Sequence, residues 1–350
     1  MSRWARRSAN AAWGSGPPER RGAGSTAVSA PQLPSAPDLL GLRLIFVTGK
    51  GGVGKTTVAA SLAQLAAERG RRVLACEVDA KGDLASLFEA PPTEFVERQV
   101  APNVFAMSMD TEASLREYLK LNLRIPVVGR IGPLARAFDF VAMAAPGVRE
   151  ILTVGKLCWE VRERHYDLVV VDASASGHII GQLAAPQAIN DLVHVGPVRS
   201  QTGWMLDILS DPSQTGLVAV TTPEEMPVSE TLELVERVGA ETSVRVSAVV
   251  VNRVLPELFG HREEAVFEAL GATDALSALS ERAGADVGPV FEGARLAVTM
   301  RRTRAAHLER LQAGLDPSVP VLLVPYLFSR AYGLRTTRQM ATHLGEELGY

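Results

Sequence analysis

The stretch that decides the reading is FVTGKGGVGKTTVAASLA, residues 46–63, which holds two lysines, Lys50 and Lys55, inside one glycine-rich loop. Ahead of it, Leu44 to Thr48 is a short apolar run with β-branched residues, the composition of a buried strand. Gly49-Lys50-Gly51-Gly52-Val53-Gly54-Lys55-Thr56 then fits G-x-x-x-x-G-K-[ST]. From Thr57 to Arg69 the spacing of Val58, Leu62 and Leu65 predicts a helix, and Gly70 predicts its stop. Strand, glycine loop and helix come in the order that a phosphate-binding loop requires. Glycines let the backbone curl until successive N–H groups point at phosphate oxygens, and the helix N-terminus adds its positive end. In such a loop Gly49, Gly51, Gly52, Val53, Gly54 and Thr57 form the cradle, Lys55 neutralises the β- and γ-phosphates of ATP, and the Thr56 hydroxyl is a Mg²⁺ ligand. A loop holds its own nucleotide with a single lysine, so Lys50 needs a separate explanation.

The chain of 350 residues is 47% hydrophobic and 21% charged, with a formal net charge of −3, the profile of a soluble globular protein with one large α/β domain or two smaller ones. No apolar run approaches the ~18 to 20 residues of a membrane span. Near-neutral charge gives no bulk attraction to nucleic acid or anionic lipid, and nucleic acid is not expected as a partner. Cys76 and Cys158 are too few for a disulfide framework or a four-thiolate metal site, and the cytoplasm is the natural compartment. Residues 1–40, rich in Arg, Pro, Ser, Gly and Ala with no apolar block for a signal peptide, are expected to form a disordered tail.

Lys50 completes K-G-G-x-G-K-[ST], which resembles the deviant Walker A loop of the MinD, ParA, nitrogenase-iron-protein and arsenical-pump ATPase group. In that group the first lysine crosses a dimer interface to phosphates bound by the partner, so the resemblance implies a catalytic Lys50 acting in trans, in the manner of an arginine finger. Further along, Arg72 to Val78 is a strand ending at Asp79, where a carboxylate can orient a water. The segment DAKGDLASLF that begins at Asp79 resembles the first switch of the arsenical-pump and tail-anchored-protein-targeting ATPases, with Ala80, Gly82 and Ser86 departing from its pattern. Tyr166 to Asp172 is a second strand ending in an acid, and DASASGHIIGQLAAP resembles the second switch of those families. By that resemblance Asp79 positions the attacking water, Asp172 holds the Mg²⁺ shell with Thr56, and Gly177 lets the switch backbone move with the γ-phosphate. Asn252 ends the strand from Ser247, where an amide can both donate to and accept from the edge of adenine, and the loop around Pro325 resembles a second adenine contact.

Strands at 44–48, 73–78, 103–109, 167–172, 217–221, 244–251 and 320–324 alternate with helical segments, which predicts an α/β, doubly wound, mostly parallel sheet. Residues 41–350 read as one such ATPase domain, with helical insertions at about 110–165 and 261–312 forming a helical subdomain. There is no internal duplication, so a second active site has to come from another chain, in a homodimer or a heterodimer with a related ATPase chain. The function expected is Mg²⁺-dependent ATP hydrolysis coupled to a client, a membrane protein among the candidates, which would bring the protein to the membrane periphery. Two alternatives stand beside it: the energising subunit of an arsenite or anion efflux system, and a positioning ATPase of the MinD and ParA kind. Two distant cysteines make a poor site for a soft arsenical. The C-terminal LRTTRQMATHLGEELGY has acids near its end and no Trp or Phe to insert into a bilayer.

Overall fold

A computed structural model describes residues 38–79, 82–123, 147–271, 274–329 and 332–350. Runs of Val, Leu, Ile and Ala form the strands β1 (Leu44–Gly49), β2 (Val73–Glu77), β3 (Arg98–Ala101), β4 (Val104–Ser108), β5 (Leu168–Asp172), β6 (Thr215–Thr221), β7 (Val246–Val254) and β8 (Val321–Pro325). They make one sheet in the order β3-β4-β2-β5-β1-β6-β7-β8. Every neighbouring pair is parallel except β3 with β4. The helices are α1 (Lys55–Glu68), α2 (Asp83–Ser86), α3 (Thr111–Leu123), α4 (Val148–Glu163), α5 (Ser176–Leu192), α6 (Pro197–Ser210), α7 (Glu225–Glu241), α8 (His261–Gly271), α9 (Ala275–Ala283), α10 (Gly288–Gly314) and α11 (Leu334–Leu348). The doubly wound α/β fold expected from the sequence is the fold observed.

Both faces of the sheet are covered, so its central strands are apolar at every position rather than at alternate ones. Ile45 and Val47 of β1, Leu168 and Val170 of β5 and Ala248 and Val250 of β7 point into one core with α1 and α11. Their neighbours Leu44, Phe46, Val169, Val171, Val249 and Val251 point into the other, with α4, α5, α6 and α7. Helix α1 is buried from Val58 to Ala67, because α11 lies over the side that the sheet leaves open. Ser61 Oγ donates to the Thr337 carbonyl at 3.1 Å across that contact, and small residues at Ala341 and Gly345 allow the close approach.

Two differences from the sequence reading are physical. Strand β3 was not expected: Arg98 and Gln99 are exposed, and the segment is a strand because it pairs antiparallel with β4 at the sheet edge, not because of an apolar pattern. The helical segments also divide differently. Contacts group residues 255–303 into one compact unit, and the rest of the described chain, up to Val254 and from Arg304 onward, into another. The expected insertion at 261–312 spans α8, α9 and all but the last two residues of α10; within the smaller unit Phe267 stacks on Phe259 at 4.8 Å and on Phe291 at 4.4 Å. In the larger unit α4 packs on β1, β5, α5 and α6, as part of the layer that covers the sheet. Residues 124–146, and all but the last three residues of the expected 1–40 tail, lie outside the described residues.

Docking of α11 on α1 is what buries the helix behind the glycine loop. Leu344→Ala, at a fully buried position of that contact, is expected to cost about 2–5 kcal/mol in a denaturant titration. Val290→Ala, at a position 74% exposed, is expected to stay within about 0.5 kcal/mol of the parent.

Candidate nucleotide site

The loop between β1 and α1 is shaped by glycines where other residues do not fit. Gly49 has φ of +152°, and a Cβ there would lie 2.1 Å from the Val220 carbonyl oxygen of β6. Gly54, the residue before α1, has φ of +97°, and a Cβ there would lie 2.4 Å from Asn252 Nδ2. Gly52 is also left-handed at +85°, but a Cβ there, or at Gly51, would meet nothing within 4 Å. These two glycines line open space, which is what a cradle for phosphates requires. Lys55 Nζ lies 3.4 Å from the Lys50 carbonyl oxygen, which puts its ammonium over its own loop.

The carboxyl end of β5 brings Asp172 beside the helix start. Thr56 Oγ1 donates to Asp172 Oδ2 at 2.7 Å. The other oxygen, Oδ1, is buried and has no hydrogen-bond partner among the described residues. Burial pushes the Asp172 carboxyl up to about 6, and the charges of Glu77 and Asp79 add to that push against the Thr56 bond and the Lys55 charge. A buried carboxylate oxygen left unpaired, next to a hydroxyl, is the donor set of a hard divalent cation such as Mg²⁺, so the residues present fit that ion. Asp79 is exposed at the end of β2, near enough for its charge to bear on Asp172.

Both switch segments are fastened to the sheet. Thr48 Oγ1 donates to the Ser174 carbonyl at 2.8 Å, and the Ala173 N–H donates to the Val47 carbonyl at 3.0 Å. Glu77, buried at the end of β2, accepts from the Gly82 N–H at 3.0 Å and the Asp83 N–H at 3.1 Å. Gly82 is left-handed at +77°, so the glycine that departs from the family's first switch is required by the turn that Glu77 holds. Gly177, in the first turn of α5, is exposed, and a Cβ there would meet nothing within 4 Å; nothing in this conformation demands glycine.

On the other side of the loop, β7 bulges. The register with β8 shifts between Val251 and Val254, and Arg253 takes a left-handed φ of +60° inside the bulge. A bulge of this kind re-aims side chains and is common beside active sites. Asn252 is buried, with Nδ2 donating to the Val53 carbonyl at 2.8 Å and Oδ1 accepting from the Arg253 N–H at 2.9 Å. Its first duty is therefore to brace the glycine loop, which leaves one N–H and one lone pair of the amide uncommitted. A cavity of about 140 Å³ opens here, lined by Gly54, Thr57, Asn252, Arg253, Leu327 and Tyr332 among others. Pro325 ends β8 and does not line this cavity; Leu327 and Tyr332 stand there instead.

Lys50 does not join Lys55. Its ammonium is ion-paired with Glu230 of α7, each side chain about one-third exposed, at 30% and 33%. Sequence reasoning missed Glu230, because a partner 180 positions away leaves no local pattern. It also missed Arg253, whose left-handed φ sits inside the bulge; Leu327 and Tyr332 belong to the loop around Pro325 but were not singled out in it. Glu77 did leave a signal, as a lone acid ending an otherwise apolar strand.

A glycine cradle between a strand and a helix, with Lys55 and Thr56 at the helix start and Asp172 at the end of a neighbouring strand, defines a P-loop nucleoside-triphosphate site. The sequence matches the family model described as anion-transporting ATPase over residues 42–202 and 198–269. The chain belongs to that family, ArsA, and is an ATP-hydrolysing enzyme. It is 38% identical over 229 residues to ATPase BagA of Mycobacterium tuberculosis, covering 62% of this chain and 67% of that one. It is 25% identical over 256 residues to the ATPase ASNA1 homolog of Entamoeba histolytica, covering 61% and 77%. It is 29% identical over 179 residues to ATPase GET3 of Podospora anserina, covering 51% and 53%.

Removing the Asn252 brace tests the loop geometry. Asn252→Ala is expected to weaken ATP and inorganic tripolyphosphate alike, by about three- to tenfold in a calorimetric titration, the worth of one hydrogen bond. A loss confined to ATP would mean that the amide reads the base and does not hold the loop.

Proposed function

We propose that this chain hydrolyses ATP with Mg²⁺ at an interface between two chains, and that its switches pass the outcome to a client or partner protein. The observation that carries this reading is the divergence of the two lysines: Lys55 lies over its own loop, whereas Lys50 leaves it for α7. A lysine serving its own nucleotide gains nothing by that placement. One that serves the nucleotide of a facing chain has to point outward. The second chain is a further copy or a related ATPase.

In this reading the loop N–H groups of Gly49, Gly51, Gly52, Val53 and Gly54 hold the phosphates, with Thr57 at the helix start, and Lys55 neutralises the transferred group. Thr56 and Asp172 hold Mg²⁺, which when bound offsets charge on the phosphates. Asp79 accepts a hydrogen bond from the attacking water and orients it. Asn252 completes the wall of the base pocket, with Arg253 beside it and Leu327 and Tyr332 from the loop that follows Pro325. Gly177 gives the α5 switch room to move, consistent with the open space around it.

A cavity of about 230 Å³ in the helical layer supports the client half of the reading. Leu115, Ile151, Leu152, Trp159, Trp204 and Met205 are among its lining residues, which makes it mainly apolar. Lys156 and Glu117 also line it, with Lys156 paired to Glu160 at 2.8 Å and to Glu117 at 2.9 Å. No helix among the described residues is long and apolar enough to cross a membrane; the client proposed is a membrane protein met at the membrane periphery. An efflux role through thiolate-bound arsenic has less support, because Cys76 and Cys158 are each fully buried and burial pushes both thiols up.

Separate kinetic signatures for the two lysines test this function. Lys55→Ala is expected to lose at least ~10²-fold in turnover and most of its ATP affinity. Lys50→Ala is expected to lose turnover while the isolated chain keeps its ATP affinity, read by a fluorescent nucleotide. Equal loss of affinity in both would return Lys50 to its own loop.

The raised Asp172 pKa has a sign that can be checked. The folded chain holds this proton more tightly than the unfolded chain, whose carboxyl titrates near the ordinary 3.8, so Asp172 takes stability away from the nucleotide-free protein as pH rises from about 4 to about 6. Mg²⁺ competes with the same proton, so its enhancement of ATP binding is expected to fade below about pH 6. The terminal phosphate of ATP also titrates at about pH 6, so Asp172→Asn is expected to keep that part and lose the rest of the pH dependence; a profile identical to the parent's would remove Asp172 from the metal shell.

A further inference from the structure

Resting on the two-chain reading, we propose that Glu230 is the positioning residue for Lys50: it holds the lysine within its own chain until the nucleotide of a second chain draws it away. Helix α7 is a fixed post. Its Pro227, Val228, Thr231, Leu234 and Val238 are buried against the sheet, and Arg304 pairs with Glu224 at its N-terminal end at 3.4 Å. Glu230 stands on the flank of that buried stripe. Lys50 carries a long side chain with several rotatable bonds, and Gly51 and Gly52 beside it have open space around them. The pair therefore fixes the lysine to the helix, and not the reverse.

Its strength suits a device that has to open. Each side chain is about one-third exposed, which places the bond among ion pairs of modest worth. One carboxylate holds the ammonium when nothing else is offered. The phosphates of a facing nucleotide carry more negative charge and several acceptor oxygens, and displace the carboxylate once the second chain arrives. A chain without a partner thereby keeps Lys50 from its own phosphates, and hydrolysis awaits assembly.

The test uses Glu230→Gln, which keeps size and removes the charge, in the full chain with and without Lys50→Ala. Two quantities are read: the acylation rate of Lys50 by a small amine-reactive probe in dilute, nucleotide-free protein, and specific ATPase activity against protein concentration. Glu230→Gln is expected to raise Lys50 acylation and to lower the protein concentration for half-maximal activity by about two- to fivefold. In the Lys50→Ala background the concentration shift should vanish. Unchanged acylation, or an equal shift with and without Lys50, overturns the proposal; so does a drop in activity and melting temperature, which would mark a brace that only fastens the loop. If wild-type activity does not depend on concentration, the two-chain reading fails and takes the proposal with it. If it does depend on concentration and Glu230→Gln leaves it unmoved, the positioning role alone fails.

Discussion

A loop made mostly of glycine has few side chains with which to hold its own shape, and the rest of the larger unit is arranged to hold it from outside. Gly49 passes so close to the Val220 carbonyl of β6 that no Cβ fits between them. Asn252 reaches from β7 to the Val53 carbonyl, and Thr56 is tied to Asp172 at the end of β5. Strands β5, β6 and β7 thus converge on one turn of backbone, in which Gly51 and Gly52 face open space. The doubly wound topology supplies this convergence, since β1 lies between β5 and β6, β7 lies beside β6, and these parallel strands end on the same side.

The same convergence creates an electrostatic demand. Asp172 is buried with one oxygen unpaired, and Glu77 and Asp79 add negative charge nearby. In the proposed reading, a divalent cation bound together with phosphates would answer that charge. Lys50 answers none of it. Its charge is paired with Glu230, outside the cradle.

How much of this was legible in the sequence follows from the range of the interactions. The strand, loop and helix around Lys55 were readable because their signals are local and periodic, and Asp79 and Asp172 because an acid at the end of an apolar run is conspicuous. Strand β3 was not, because pairing at an edge and not burial makes it a strand. The Lys50 and Glu230 pair was invisible, since it joins the glycine loop to helix α7, 180 positions away. Asn252 was readable as a site residue, but its bond to the Val53 carbonyl depends on the β7 bulge, which no short pattern announces.

The central claim is that two chains share each act of hydrolysis, and mixing two inactive variants tests it most directly. Lys50→Ala lacks the outward lysine, and Asp79→Asn lacks the group that orients the water. In a mixed dimer one composite site collects both defects, and the other keeps an intact Asp79 facing an intact Lys50. For a homodimer, ATPase activity is expected to reappear on mixing, to a level that neither variant reaches alone; for a heterodimer the two substitutions are divided between the partner chains. A mixed dimer, demonstrated by mass, that stays as inactive as its parents would contradict a lysine acting in trans.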